Sequence, residues 1–264
     1  MKEHTIHKQN SIIQGQFEEI GIYDIRCLNA LYYVVQRNKD NLPADNTFKV
    51  ELYDIREYMG MNNISNYSEI IKKSLNTLKK PFYTYDYRDD ENNILADKVI
   101  TIIKDFTLLK SYYHTYSITV HQDFIDVVSL EKNWTKLHLD RVAGFSSKYS
   151  LRLYEYLSSI KRQKYKEPLT LERLNKIFLC KHRHLSKVED VIKRCIKDFK
   201  DSDLVGITYT KDKRRRTILF SFKFIENLEK KKQKDEKILQ DSIEREEKVN
   251  SVVNTLENKH HHTH

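Results

Sequence analysis

The scarcity of residues that interrupt regular structure is the strongest constraint on how this chain can fold. Its 264 residues include five glycines (15, 21, 60, 144 and 206) and three prolines (43, 81 and 168). Gly and Pro are the residues that most often mark turns and loops. So few of them over this length indicate helices and long strands joined by short turns.

One order of elements occurs twice along the sequence. In the first half, apolar residues at a helical period and clusters of β-formers predict three helices, a hairpin around DDENN and one further strand. These segments are 24–37, 52–59, 66–79, 82–87, 99–106 and 117–120. The second half repeats a long helix, a short helix, a turn, a helix and two strands, at 150–163, 169–178, 179–185, 187–200, 204–209 and 217–224.

A helix-turn-helix followed by a β-hairpin is the signature of a winged-helix domain. We therefore expect an α+β fold of two tandem winged-helix domains with a charged C-terminal tail. The expected limits are 17–140 for the first domain, 141–226 for the second and 227–264 for the tail. The tail is rich in Lys and Glu without a strict heptad, which predicts a charged helix or a disordered segment.

Positive charge is concentrated in one third of the chain. The net charge is +9, yet residues 145–224 hold 21 basic and 9 acidic residues, a net +12, and the rest nets −3. A basic segment beside a nearly neutral one indicates a polyanionic partner. We expect the second domain to be the main DNA-binding unit and the first to serve dimerisation, a secondary DNA contact, or both.

The most basic stretch, KDKRRR, occupies the tip of the second predicted hairpin. Crowded cations at such a tip are expected to lie beside a phosphate backbone, although charged residues also protect exposed strand edges. The candidates are Lys211, Lys213, Arg214, Arg215 and Arg216.

The turn KHRHLSK and the helix after it supply the expected groove contacts. Arg183 and Arg194 are the candidates for base reading, because a guanidinium can bind guanine bidentately. His184 and Lys187 are placed at the groove, and Lys193 and Lys197 are expected on phosphates. In the first half, Asn66, Lys72 and Lys73 occupy the matching surface and form a weaker candidate contact.

The stretch FSSKYSLRLYEYLSSIKRQ (145–163) reads as an amphipathic helix. Its apolar stripe of Tyr149, Leu153, Leu157 and Ile160 is expected in the core. Lys148 and Arg152, on the other face, are expected to contact phosphates.

Several classes of protein are disfavoured. No apolar run is long enough for a membrane span and the N-terminus lacks a signal-peptide core, so we expect a cytoplasmic protein with no membrane partner. Three cysteines without CxxC spacing predict buried thiols, and the absence of GxxxxGK[ST] argues against ATP hydrolysis. The HRH triplet lacks neighbouring carboxylates and the terminal HHHTH is assigned no role. We expect no cofactor, no metal and no enzymatic activity.

The helix SSKYSLRLYEYLSSIKRQ and the block VIKRCIKDFKDSDLVGITYTKDKRRRTILFSFKF, with its final F-x-F strand, carry a resemblance to a known family. They resemble the Rep_3-type plasmid replication initiators, the iteron-binding RepE/RepA/π-like group. The resemblance implies a non-enzymatic initiator that binds directly repeated double-stranded origin DNA, promotes origin opening and recruits the host replicative helicase or its loader. It also implies a monomer–dimer equilibrium with autorepression by the dimer.

Two other readings stay open at the level of sequence. A tandem winged-helix transcriptional regulator would bind one inverted repeat as a dimer and would not support replication. A nicking, rolling-circle initiator would attach a 5′-phosphate covalently to a tyrosine with the help of a divalent metal.

Overall fold

The computed structural model describes residues 4–17, 20–88, 94–109, 114–161, 167–202 and 205–224. The predicted turn DDENN (89–93) and the charged tail (227–264) lie outside these residues. The fold mixes helices and sheets, as expected. Within the described ranges, no helix combines the length and apolarity needed to cross a membrane.

The first part of the chain alternates short strands and helices. Its elements are β1 (Thr5–Gln9), α1 (Asn10–Gln14), α2 (Ile22–Arg37), β2 (Thr47–Glu51), α3 (Leu52–Tyr58), α4 (Tyr67–Thr77), β3 (Phe82–Arg88), β4 (Ile94–Ile100), β5 (Ile103–Leu109), β6 (Thr115–Val120), α5 (Gln122–Ser129), β7 (Trp134–His138) and α6 (Leu139–Val142). The predicted helices at 24–37, 52–59 and 66–79 are confirmed as α2, α3 and α4. The elements β1, α1, β2, α5, β7 and α6 were not predicted.

All sheets of the first part are antiparallel. β2, β6 and β5 form a three-stranded sheet in that order, and β3 pairs with β4. β1 pairs with β7, so that Thr5 lies opposite His138 and Gln9 opposite Trp134. This last pairing joins two segments about 130 residues apart and closes the first part of the chain upon itself.

The prediction of one strand over 99–106 is wrong. β4 ends at Ile100 and pairs with β3, whereas β5 begins at Ile103 and pairs with β6. Between them the chain bends, and Ile102 is completely buried. Its carbonyl accepts the backbone N–H of His121, and the N–H of Ile103 reaches the carbonyl of Leu78. Successive isoleucines are thus buried on both sides of the bend, which a local alternation pattern does not reveal.

The second part begins with a long helix and ends in a hairpin. Its elements are α7 (Lys148–Ile160), β8 (Leu169–Thr170), α8 (Leu171–Phe178), α9 (Leu185–Asp201), β9 (Val205–Asp212) and β10 (Thr217–Phe224). β10 lies between β8 and β9. It pairs with β9 over its whole length, from Thr217 opposite Asp212 to Phe224 opposite Val205. The predicted helix, turn, helix and two strands are therefore present at these positions.

Helix α7 is the central element of the core. Leu151, Leu153 and Leu157 are completely buried, as the predicted apolar stripe requires for the last two. The helix packs on α1, α2 and β7 of the first part and on α8 and α9 of the second. Because it is covered from both sides, the expectation of a solvent-exposed polar face is wrong for this helix.

The cysteines are thiols without disulfide partners. Cys27 and Cys195 are buried and Cys180 is half-buried. Burial raises the pKa of Cys195 to about 12 and also raises the pKa of Cys27 and Cys180. The buried thiols act as small apolar groups in the core.

Candidate nucleic-acid interface

The turn between α8 and α9 is braced by hydrogen bonds of the Asn175 side chain. Thr170 caps the start of α8 by accepting the backbone N–H of Arg173 at 3.2 Å. The helix ends at Leu179, which adopts the left-handed conformation (φ 52°, ψ 51°). The amide of Asn175 then donates to the carbonyl of His182 at 2.9 Å and accepts its N–H at 3.1 Å. This brace fixes the path of the chain into α9 and leaves Arg183 and His184 exposed.

Helix α9 separates an apolar face from a basic one. Val188, Ile192, Cys195 and Phe199 are buried in the core. The predicted contact residues of the helix lie on the exposed face: Lys187, Lys193, Arg194 and Lys197. No acidic residue occupies the first turn, so the positive end of the helix dipole adds to the charge of the side chains. The structure therefore places four of the predicted residues on the exposed face of α9, and Arg183 and His184 immediately before the helix.

The tip of the β9–β10 hairpin, here called the wing tip (213–216), presents its cations to solvent. Asp212 accepts the backbone N–H groups of Arg214 and Arg215 at 2.9 and 3.0 Å, which closes the turn. Arg216 has a positive φ of 53°. Lys213, Arg214, Arg215 and Arg216 are all exposed, and Arg215 lies 3.8 Å from the Asp212 carboxylate. The Asp212 carboxylate is engaged by backbone N–H groups of the turn, so most of the positive charge of the wing tip points outward.

Lys211 differs from the other wing residues. Its ammonium forms an ion pair with Glu189 of α9, and the Tyr209 hydroxyl donates to the same carboxylate at 3.0 Å. These hydrogen bonds lower the pKa of Glu189. Burial, together with the hydrogen bond to Glu189, raises the pKa of Tyr209 to about 12. Lys211 therefore ties the wing to α9, and its phosphate contact stays a prediction.

The prediction that Arg152 contacts phosphate is wrong. Its side chain is 2% exposed. The guanidinium donates to the carbonyls of Ile177 at 3.1 Å and Gly15 at 3.2 Å and to the Glu155 carboxylate at 3.3 Å. Glu155, also buried, accepts from Lys8 at 2.6 Å and from Asn29 at 3.2 Å. These charges form a closed internal network, and burial lowers the pKa of both Arg152 and Lys8.

Lys148 is also engaged inside the protein. Its ammonium donates to the carbonyl of Ile20 at 3.2 Å and lies 3.5 Å from the carbonyl of Leu179. Burial lowers its pKa. The residue links the start of α7 to the turn and to the first part of the chain, so the expected phosphate-facing edge of α7 is not formed.

In the first part, the predicted residues lie at an exposed surface of α4. Asn66 precedes the helix and caps it without a side-chain hydrogen bond, and Lys72 and Lys73 are exposed. The opposite face of α4 buries Ile71 and Leu75. The structure thus leaves these three side chains available, on a surface with fewer cations than that of α9.

Sequence reasoning missed the residues that hold the interface in shape. Asn175, Glu189 and Tyr209 contribute no positive charge, and a search for cations passes over them. A local signal was the acidic pair Glu189 and Asp190 between the basic residues 181–187 and 193–197. Within the described ranges, no group of three or more His, Cys, Asp or Glu side chains is arranged to hold a metal ion.

Comparison with known proteins gives matches in sequence family and in fold. The family described as Initiator Replication protein, WH1 matches residues 5–158, more than half of the chain. No curated protein matches the sequence. The structure of Pi initiator protein in complex with iteron DNA aligns with a TM-score of 0.61 and 16% identity over 84% of this chain and 97% of that one. Domains 2 and 3 of RctB align with a TM-score of 0.46 and 12% identity over 76% of this chain and 82% of theirs, a much weaker likeness.

Proposed function

The chain belongs to the initiator replication proteins, DNA-binding proteins of plasmid replication with a winged-helix WH1 domain, and from this premise we propose that it binds directly repeated origin DNA. The observation that carries the proposal is the exposed basic face of α9, followed by the exposed wing tip. The neighbouring Pi initiator was solved in complex with iteron DNA. Iterons are accordingly the proposed double-stranded target.

We propose that the second part of the chain, 141–226, is a winged helix that carries the main DNA contact. Its order of α8, turn, α9, β9 and β10 supports this assignment. Residues 17–140, most of the first part, are proposed as the preceding winged helix, with dimerisation or a secondary DNA contact as its role. In both proposals α7 serves as the shared element, because it packs on both parts.

We assign the proposed DNA contacts from the position of each residue on the turn, α9, the wing or α4. Arg183, before α9, and Arg194, on its exposed face, read base edges in the major groove. Lys187, Lys193, Lys197 and the wing tip bind phosphates, and His184 lies at the start of the groove-facing helix. Asn66, Lys72 and Lys73 supply the secondary contact. Phosphate contacts set affinity and register, whereas base contacts set sequence preference.

The test compares the wing tip with matched lysines elsewhere. Replacing Arg214, Arg215 and Arg216 by alanine is expected to weaken binding to all sequences and to reduce the salt slope by about 0.9 for each phosphate that the variant no longer neutralises. The control replaces Lys39, Lys80 and Lys104, three exposed lysines outside α9 and the wing. Binding is measured by fluorescence anisotropy over a range of salt concentrations. An unchanged slope for the arginine variant, or an equal change in the control, would overturn the wing assignment.

Base reading is tested separately at Arg183. The Arg183→Ala change is expected to relax preference at one base pair at a cost of about 1–3 kcal/mol, with little effect on nonspecific DNA. Equal loss on specific and nonspecific DNA would assign Arg183 to a phosphate instead.

The replication role rests on origin opening and on recruitment of the host helicase or its loader, which we propose from family membership. The chain is expected to support transformation by a plasmid that carries the repeats found beside its gene. A chain that represses its own promoter but never supports replication would instead be a tandem winged-helix regulator. Autorepression by a dimer is tested on the same promoter with mixtures whose monomer fraction is known from sedimentation.

A further inference from the structure

A second basic surface lies around Trp134, outside the proposed DNA interface. A hollow of about 370 Å³, here called the Trp134 hollow, lies between the start of β7 and the end of α7. Its wall includes Lys132, Trp134, Lys136, Ser158, Ser159 and Lys161. Three lysines, two serines and a tryptophan thus line one concave site, and none of these residues belongs to α9 or the wing.

The indole of Trp134 is held in a fixed orientation. Its Nε1 donates to the carbonyl of Glu131 at 2.8 Å. The His7 ring stacks on it, with centroids 3.9 Å apart and planes 17° from parallel. Even so, Trp134 remains 36% exposed, one of the most exposed large apolar residues described. A rigid, partly exposed aromatic surface is suited to stacking against a flat ring.

The neighbouring charges are arranged for an anion. Lys132 and Lys136 are exposed, and among the described residues neither has a carboxylate as ion-pair partner. Lys161 lies at the end of α7, with its ammonium 5.6 Å from the Phe224 ring. The C-terminus of α7 contributes a partial negative charge of about −0.5, which three lysines exceed. Burial and the nearby Lys136 and Lys39 lower the pKa of His7, which favours the neutral imidazole in the stack.

One buried donor next to the hollow lacks an acceptor. The Nδ2 of Asn133 is buried and has no hydrogen-bond partner among the described residues. The residue lines the Trp134 hollow and has a positive φ of 60°, which fixes it at the bend before β7. Buried donors in native proteins are nearly always satisfied. Because this nitrogen is shielded from solvent, a ligand in the hollow reaches it only if the bend at Asn133 shifts.

We propose that the Trp134 hollow binds a nucleotide, with the base stacked on Trp134 and the phosphates held by Lys132, Lys136 and Lys161. The combination of an aromatic surface and adjacent ammonium groups selects a ligand that is both flat and anionic. The volume suits one small ligand, since such sites begin at roughly 300 Å³. The proposal does not rest on the DNA-binding function and involves no hydrolysis.

The chain offers a direct signal for this site, because Trp134 is its single tryptophan. We expect ATP to change the intrinsic fluorescence of the full chain in a saturable way, with free N-acetyltryptophanamide as the inner-filter control. Adenosine, which lacks phosphate, is expected to bind at least about tenfold more weakly, because charge-assisted hydrogen bonds are lost. Inorganic pyrophosphate is expected to compete with ATP.

Matched lysine variants separate a built site from general electrostatic attraction. The double change Lys132→Gln and Lys136→Gln is expected to weaken ATP binding by about tenfold or more. The change Lys80→Gln and Lys104→Gln removes the same charge from exposed lysines of the first part and is expected to leave binding unchanged. Far-UV circular dichroism checks that both variants are folded, and labelled ATP in equilibrium dialysis gives a second readout.

Four results would overturn the proposal. They are no saturable change with ATP at millimolar concentration, equal affinity for ATP and adenosine, equal loss in the two double variants, and binding of an oligodeoxyadenylate strand without binding of ATP. The last result would assign the surface to single-stranded nucleic acid. Failure of iteron binding in the intact chain would leave all four comparisons unaffected, so this proposal and the proposed function are tested independently.

Discussion

Replacing Arg152 by methionine is expected to destabilise the protein strongly without altering its contact with DNA. The guanidinium is 2% exposed and donates to Ile177, Gly15 and Glu155. Methionine keeps much of the apolar bulk and removes every one of these donors. The carbonyls of Gly15 and Ile177 then lose a hydrogen bond in a region closed to water.

The magnitude follows from the network that remains. Breaking one side of a buried ion pair costs about 3–5 kcal/mol, because the other charge stays buried. Glu155 still accepts from Lys8 at 2.6 Å and Asn29 at 3.2 Å, which limits this loss. Each buried carbonyl without a donor costs about 1–3 kcal/mol. Losses within one network do not add, so we expect about 3–5 kcal/mol in total, or a fall in Tm of roughly 6–20 °C.

The assay is urea unfolding followed by circular dichroism, with Trp134 fluorescence as the second probe. Arg183→Met removes an exposed guanidinium and is the matched control, expected to change stability by about 0.5 kcal/mol or less. The triple variant Lys8→Met, Arg152→Met and Glu155→Leu removes all three charges and is expected to regain part of the loss.

Two results would refute the reasoning on Arg152. One is a cost below about 1 kcal/mol, comparable with that of the exposed control. The other is a reduced salt slope for DNA binding by the folded Arg152→Met protein, which would mean that the side chain reaches a phosphate.

Three further changes test the shape of the interface. Lowering the pH is expected to loosen the wing, because hydrogen bonds from Lys211 and Tyr209 lower the pKa of Glu189. The stabilisation is complete above the ordinary pKa of 4.5 and is lost as the pH falls through the lower pKa of the folded state. This loss is expected to be absent when the free energy of unfolding of Glu189→Gln is measured against pH. Asn175→Ala is expected to cost about 1–2 kcal/mol in urea unfolding, with Asn175→Asp intermediate because it keeps the acceptor for the His182 N–H. Arg216→Asn is expected to stabilise the chain by about 0.5–1 kcal/mol, since asparagine tolerates positive φ better than arginine. The same variant is expected to bind DNA more weakly in fluorescence anisotropy. Unchanged stability and unchanged affinity would contradict the role given to Arg216.

The elements that carry the interface were predictable because their information is local. The apolar residues of α9 recur at the helical period, and Val188, Ile192, Cys195 and Phe199 are buried as that period requires. The hairpin of β9 and β10 joins neighbouring segments, so its register follows from a short turn. The exposure of Arg183 and Arg214 likewise follows from their places in turns.

The charges of α7 were not predictable from the same kind of pattern. An amphipathic helix is normally assigned one wet face, yet α7 is covered on both sides. Arg152 meets Gly15 and Glu155 meets Lys8, residues 137 and 147 positions away in sequence. Nothing near residue 152 encodes those partners. The pairing of β1 with β7 has the same cause, since each strand is short and finds its neighbour only after the chain has folded.

The placement of Thr170 has a mechanical consequence for any duplex that the protein holds. This residue caps α8 and also pairs with Thr217, the first residue of β10 next to the wing tip, while Glu189 joins the wing to α9 through Lys211. Helix α9 and the wing are therefore held at a fixed separation, which sets the shape of DNA that fits if α9 enters the major groove as proposed. When a target does not match that separation, the DNA has to bend or twist to meet it. The stiffness of base steps that no side chain touches then contributes to affinity.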